Sequence, residues 1–158
     1  MSGFVATAPT AATSETDAIA NDGWFPNLSM TQLRAVARLD GTVTEERLRD
    51  AARYAMSAIN RRLAAFKAAH QATGVTKLAD VPDAGTIDGE NRLVMLYRRA
   101  VQCTVKADLI ERYRDFDSTD SGLRRADYMD PAIGEQRRNA TWAVREILGQ
   151  PHTIVELI

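Results

Sequence analysis

Three aspartates, Asp115, Asp117 and Asp120, have the most suggestive spacing for chemistry, because alternating carboxylates can cage a calcium ion. A calcium loop of the helix–loop–helix kind wants acids at positions one, three and five, glycine at six and glutamate at twelve. Counted from Asp115, position five is Thr119, six is Asp120 and twelve is Ala126. The pattern fails, and the segment reads as a solvated acidic turn. His70 and His152 have no carboxylate or nucleophile partner at helical spacing, so both read as structural. His70 falls near a helix end, where an imidazole can meet unpaired carbonyls. Two histidines and the single Cys103 cannot build the usual zinc cages. The glycines form neither a phosphate-binding loop nor a dinucleotide fingerprint. Asp108 and Glu111 resemble a carboxylate pair, but beside Lys106, Arg112 and Arg114 they read as surface ion-pair partners, each contributing a few tenths of a kcal/mol. No catalytic, cofactor-binding or metal-binding residue is expected.

Arginine doublets raise a second chemistry, the binding of phosphates. They are Arg61-Arg62, Arg98-Arg99, Arg124-Arg125 and Arg137-Arg138, in a chain with 17 Arg among 20 basic residues. Adjacent helical residues point about 100° apart, so no doublet makes a flat patch by itself. No helix-turn-helix spacing or zinc pattern accompanies them, and the net charge is −1. The arginine excess also arises from GC-rich coding. Solvated faces and subunit contacts are the favoured reading, with direct contact to DNA as the rival.

The elements that would position these side chains are helical. A chain of 158 residues, 45 % hydrophobic and 26 % charged, has the size and balance of one globular domain. One cysteine excludes an intrachain disulfide. No run approaches the roughly 18 apolar residues of a membrane span, and no secretory signal is expected at the start.

Ser29 can cap a short helix through about Leu39, ended by Asp40-Gly41. Thr44 or Thr42 can cap a second, running from Glu45 to about Ala72 and closed by Gly74. Leu48, Ala52, Ala55, Ile59, Leu63 and Phe66 mark its buried face. Residues 74–88 read as a long connection, after which Asp88 can cap a third helix to about Tyr113. That helix is apolar on most of its circumference (Leu93, Leu96, Ala100, Cys103, Ala107 and Ile110; Val94, Val101, Val105 and Leu109), so it should be central, with Cys103 an inert core residue. After a second acidic connection at 115–122, Asp130-Pro131 looks like a helix start, or the fourth helix begins a turn or two earlier. Ile133, Arg137, Ala140, Val144 and Ile147 trace its inner face, and Gly149 with Pro151 stops it.

Charge follows the same division. Segment 45–72 carries six basic and three acidic residues and segment 91–114 six and two, whereas connection 73–90 carries one and four and 115–130 two and five. The expectation is an all-α bundle of about four helices with long loops. Residues 1–22, rich in Ala, Thr and Ser, form a flexible arm, 23–150 the helical domain, and 151–158 a short extended tail.

The two ends of the domain are unusually apolar. Trp24 and Phe25, and the run Thr153, Ile154, Val155, Leu157 and Ile158, sit where a monomer would fray. They either fold onto their own bundle or dock on a neighbouring subunit as an added strand or an apolar plug. Burying five such side chains would contribute on the order of 5–10 kcal/mol before ordering costs. Trp142, beside the inner stripe of the fourth helix, is either an interface anchor or a flanking core residue.

Several segments in one order carry a resemblance. Trp24-Phe25-Pro26, Gly41-Thr42-Val43 with Glu46-Arg47-Leu48-Arg49-Asp50-Ala51, and Thr76-Lys77-Leu78-Ala79-Asp80-Val81-Pro82 come first. Ile87-Asp88-Gly89-Glu90, Tyr97-Arg98-Arg99-Ala100-Val101, Glu111-Arg112-Tyr113-Arg114 and Ala126-Asp127 follow. Trp142-Ala143-Val144-Arg145, Gly149-Gln150-Pro151 and Ile154-Val155 complete the order. Over about residues 24–158 the chain resembles the bacteriophage head completion protein L family. The resemblance implies a non-enzymatic virion protein of contractile-tailed phages, made in the host cytoplasm and placed at the head–tail junction. It would join the portal vertex after packaging, help to retain DNA and prepare the head for tail or tail-terminator proteins. It further implies a helical adaptor fold in rings beneath the portal, typically of about twelve copies meeting heterologously. Packaged DNA would pass nearby without sequence-specific binding, and no membrane or cofactor is implied. On this reading Trp24-Phe25 and residues 153–158 are ordered chiefly by the portal or a neighbouring copy, and basic helices opposite acidic loops supply complementary surfaces.

Overall fold

A computed structural model describes residues 17–37, 43–82, 84–114 and 120–151. The expected fourth-helix start at Asp130-Pro131 lies within a described helix. The 153–158 tail, most of the 1–22 arm, the Asp40-Gly41 stop and the calcium-like Asp115 and Asp117 lie outside the described residues.

Mostly helical is the right class, but not all-α. Among the described residues there are five α-helices: α1 (Met30–Ala37), α2 (Glu45–Arg62), α3 (Ala64–Ala72), α4 (Arg92–Arg114) and α5 (Asp120–Ile147). Two antiparallel strand pairs accompany them: β1 (Ala18–Ile19) with β2 (Leu28–Ser29), and β3 (Thr86–Ile87) with β4 (Glu90–Asn91).

Helix α4 is the hub, packing against α1, α2 and α5. Its apolar residues Leu93, Leu96, Tyr97, Ala100, Val101 and Val105 are buried, as their two stripes require. Cys103 is only half-buried. Burial raises its thiol pKa more than Arg99 and Lys106 lower it, so the reactive thiolate is disfavoured.

The expected helix 45–72 is two helices. Thr44 caps α2, its hydroxyl accepting from the Arg47 N–H at 3.4 Å. At Leu63 (φ −97°, ψ 5°) the chain bends. The Leu63 N–H is shared between the carbonyls of Ile59 (3.0 Å) and Asn60 (3.2 Å), while the Leu63 carbonyl still accepts from Lys67 N–H at 2.9 Å. Hydrogen bonding thus runs across the bend, and both pieces follow from one apolar face. Gly74 and Gly149 end α3 and α5 as expected, each at positive φ and each followed by a residue whose N–H reaches back five positions: Val75 to His70 and Gln150 to Arg145.

Two helix starts differ from expectation. Asp88 does not cap α4. It stands at φ 52° beside Gly89 at φ 76°, the two-residue turn that joins β3 to β4. Asn91 caps α4 instead, its Oδ1 accepting from Leu93 N–H (2.9 Å) and Val94 N–H (3.3 Å). Helix α5 begins at Asp120 and runs through Pro131, because the spacing Ala126, Met129, Ile133 extends the helical period upstream of the proline.

Candidate functional site

The residues between Asp17 and Met30 form a clasp over the helical body. Composition places residues 17–22 in a flexible arm, whereas their side chains tie them to the body. The Asp17 carboxylate accepts from the Ser29 hydroxyl (2.6 Å), the Thr31 hydroxyl (2.7 Å) and the Thr31 N–H (2.8 Å), completing the N-terminus of α1. These bonds, that of Ser29 foremost, hold its pKa below the ordinary value. Ile19, next in line, is buried.

Asn21 reaches deepest. Its Nδ2 donates to the Tyr97 hydroxyl (2.8 Å), which donates to Asn60 Oδ1 (2.6 Å), while Asn60 Nδ2 donates back to Asn21 Oδ1 (2.8 Å). This closed triangle joins the clasp, α2 and α4. The Tyr97 ring is fully buried, and burial pushes its hydroxyl pKa well above the ordinary range. A locked, neutral phenol of this kind is a structural pin and not an acid or base.

Asp22 then shapes the aromatic turn. Its Oδ1 accepts from the N–H groups of Trp24 and Phe25, both at 3.0 Å, and its Oδ2 from Lys67 Nζ at 2.7 Å. Partial burial works against the carboxylate charge, but Lys67 and the two N–H groups together outweigh it and lower the pKa.

Trp24 and Phe25 are each 3 % exposed. Phe25 stacks on Tyr97 at 5.0 Å between ring centroids, and Trp24 meets Phe66 edge-on at 6.3 Å. Trp24 Nε1 donates to the Val75 carbonyl (3.3 Å), and the Trp24 carbonyl accepts from Leu78 N–H (2.9 Å). Of the two readings of this pair, the intramolecular one describes the structure. Its apolar surface is already covered by its own chain, so a portal or neighbouring copy is not needed to order it. What stays open beside the clasp is a cleft of about 310 Å³ lined by Gly23–Asn27, Lys77–Ala79 and Val94.

Trp142 behaves differently. It is half-buried, with the Arg138 guanidinium 5.1 Å from its ring centroid. Thr153, Ile154, Val155, Leu157 and Ile158 lie outside the described residues.

The arginine doublets are partly committed within the chain. Arg98 pairs with Glu90, Arg137 with Glu111 (2.6 Å), and Arg138 with the Trp142 ring. Glu111 therefore finds its partner on α5, while Asp108 takes Arg112 as its spacing suggests (3.1 Å). His70 rests against Phe66, ring centroids 4.4 Å apart. No group of three His, Cys, Asp or Glu side chains suited to a metal is found among the described residues, and none of their helices is long and apolar enough to cross a membrane.

With that geometry in view, similarity to known proteins settles the family. The sequence model for the phage head completion protein (GPL) matches residues 19–158. The chain belongs to this family. A head completion/stabilization protein of Escherichia phage P2 is 41 % identical to it over 140 residues, 89 % of this chain and 82 % of that protein. No solved structure matches. The family match begins at Ile19 within β1, so the Asn21 triangle and the buried aromatics fall inside the shared family region, while Asp17 and Ala18 precede it. The turn-forming run Asn21-Asp22-Gly23 ahead of the aromatics was the signal for the clasp.

Proposed function

We propose that the protein is a structural component of the virion that completes and stabilises the phage head. It binds the portal vertex once DNA is packaged, helps to retain that DNA, and presents a surface to tail or tail-terminator proteins. Neighbouring copies form a ring of about twelve, a heterologous assembly in which two different faces of each copy meet. The role is structural and not catalytic, and its place is the head–tail junction after synthesis in the host cytoplasm.

The similarity to the phage P2 head completion/stabilization protein, spanning 89 % of the chain, carries this reading. One structural fact agrees with it: burial favours the protonated forms of the Tyr97 hydroxyl and the Cys103 thiol. Removing residues 153–158 should leave the helical circular dichroism and melting of the domain intact while abolishing co-sedimentation with portal-containing heads. Undiminished attachment of the truncated chain would refute the role assigned to the tail.

A further inference from the structure

Two surfaces outside the clasp complement each other. One is the side of the α4–α5 pair around Trp142. Arg138, Trp142 and Arg145 stand at i, i+4 and i+7 on α5, and Arg99, Cys103 and Lys106 repeat that spacing on α4. The charges of Arg99, Lys106 and Glu135 all act on the Cys103 thiol, and Glu135 lies on the same α5 stripe as Arg138 and Trp142. The two triplets therefore face the same side. Arg138 packs on the half-buried indole, Arg145 stands one turn along α5, and Arg99 and Lys106 lie on the neighbouring α4. Arg99, Lys106 and Arg145 make no ion pair among the described residues.

The other surface is the β3–β4 hairpin. Ile87 is 53 % exposed at its tip, beside Asp88 in the turn. The hairpin is nonetheless firmly held. Arg92 N–H donates to the Gly85 carbonyl (3.0 Å), Asn91 Nδ2 to the Ala79 carbonyl (3.0 Å), and Arg98 pairs with Glu90. A rigid, exposed apolar tip on an acidic connection loses little entropy on docking. Glu90 is committed to Arg98, but Asp88 stands exposed in the turn beside Ile87, opposite in sign to the Trp142 face.

We infer that the Trp142 face receives the β3–β4 hairpin of a second copy of this chain, Ile87 packing beside the indole and Asp88 meeting the arginines around it. Trp and Arg at the centre with charges at the rim is the usual make-up of a protein interface. The two patches differ, so the contact is head-to-tail and propagates around a ring. The inference rests on the ring reading above and assigns its two faces.

The test uses purified full-length chains carrying Cys103→Ser, added to DNA-filled heads assembled without the protein. Chains with Ile87→Cys and chains with Trp142→Cys are mixed on those heads and oxidised, since a disulfide requires close approach of the two positions. A cross-linked pair should form in the mixture and with neither variant alone. Arg145→Cys serves in place of Trp142→Cys if the latter does not fold. Arg138→Glu combined with Arg145→Glu should lower the number of head-bound copies about tenfold. Normal head binding without cross-linking, and unchanged by the charge reversal, would overturn this interface and leave the head-binding reading standing. Failure of the unsubstituted chain to bind heads would remove that reading and the inference together. Loss of duplex DNA binding on charge reversal would identify the face as a nucleic-acid surface and overturn the inference.

Discussion

Tyr97 illustrates what single residues contribute here. Its position on α4 follows from the apolar period, but its hydroxyl partners lie 76 residues away at Asn21 and 37 away at Asn60, separations that no local pattern reveals. Tyr97→Phe would leave an Asn21 N–H and the Asn60 carbonyl oxygen without their partner in a partly buried site. The cost should be about 1–3 kcal/mol in urea unfolding, and a change within error would show that the triangle contributes nothing. Asp22 provides a pH test. Its folded pKa lies below the ordinary 3.8, so its stabilisation is present above that value and is lost as pH falls through the folded value. Asp17 acts in the same direction. Stability should therefore decline on acidification below about pH 4, and Asp22→Asn should flatten that decline. An equally steep acid limb in Asp22→Asn would place the sensitivity elsewhere.

At the scale of elements, helices were readable and their exact joints less so. The spacing from Leu48 through Leu63 to Phe66 identified one buried face, and it is one face, yet the bend at Leu63 leaves no mark in that period because hydrogen bonding continues across it. The pair Asp88-Gly89 carried two competing signals. Aspartate is a good helix cap, and Asp-Gly is also the preferred two-residue hairpin turn. The turn prevailed because Asn91, nearer the helix, was free to cap. The clasp was missed for a different reason: closeness to a terminus suggested fraying, while Asn21 and Asp22 supply the bonds that prevent it. Trp24→Ala should cost about 3–5 kcal/mol through the cavity beneath the clasp, measured as a lowered denaturation midpoint. A loss below about 1 kcal/mol would mean the clasp is not part of the cooperative fold.

For the whole molecule, the family and its structural character were legible in the order of many short segments, whereas the interface was not. Of the apolar residues singled out in the sequence, Trp24 and Phe25 turned out to be core. Burial depends on long-range closure, and neither hydropathy nor closeness to the chain end distinguishes an anchor for another protein from one for the same protein. Stabilisation of filled heads by this protein can be read from the nuclease-protected DNA in filled heads assembled without it, before and after purified chain is added. Protection should rise and saturate with the amount of chain bound at the vertex. Unchanged protection with no bound chain would show that the protein does not stabilise them.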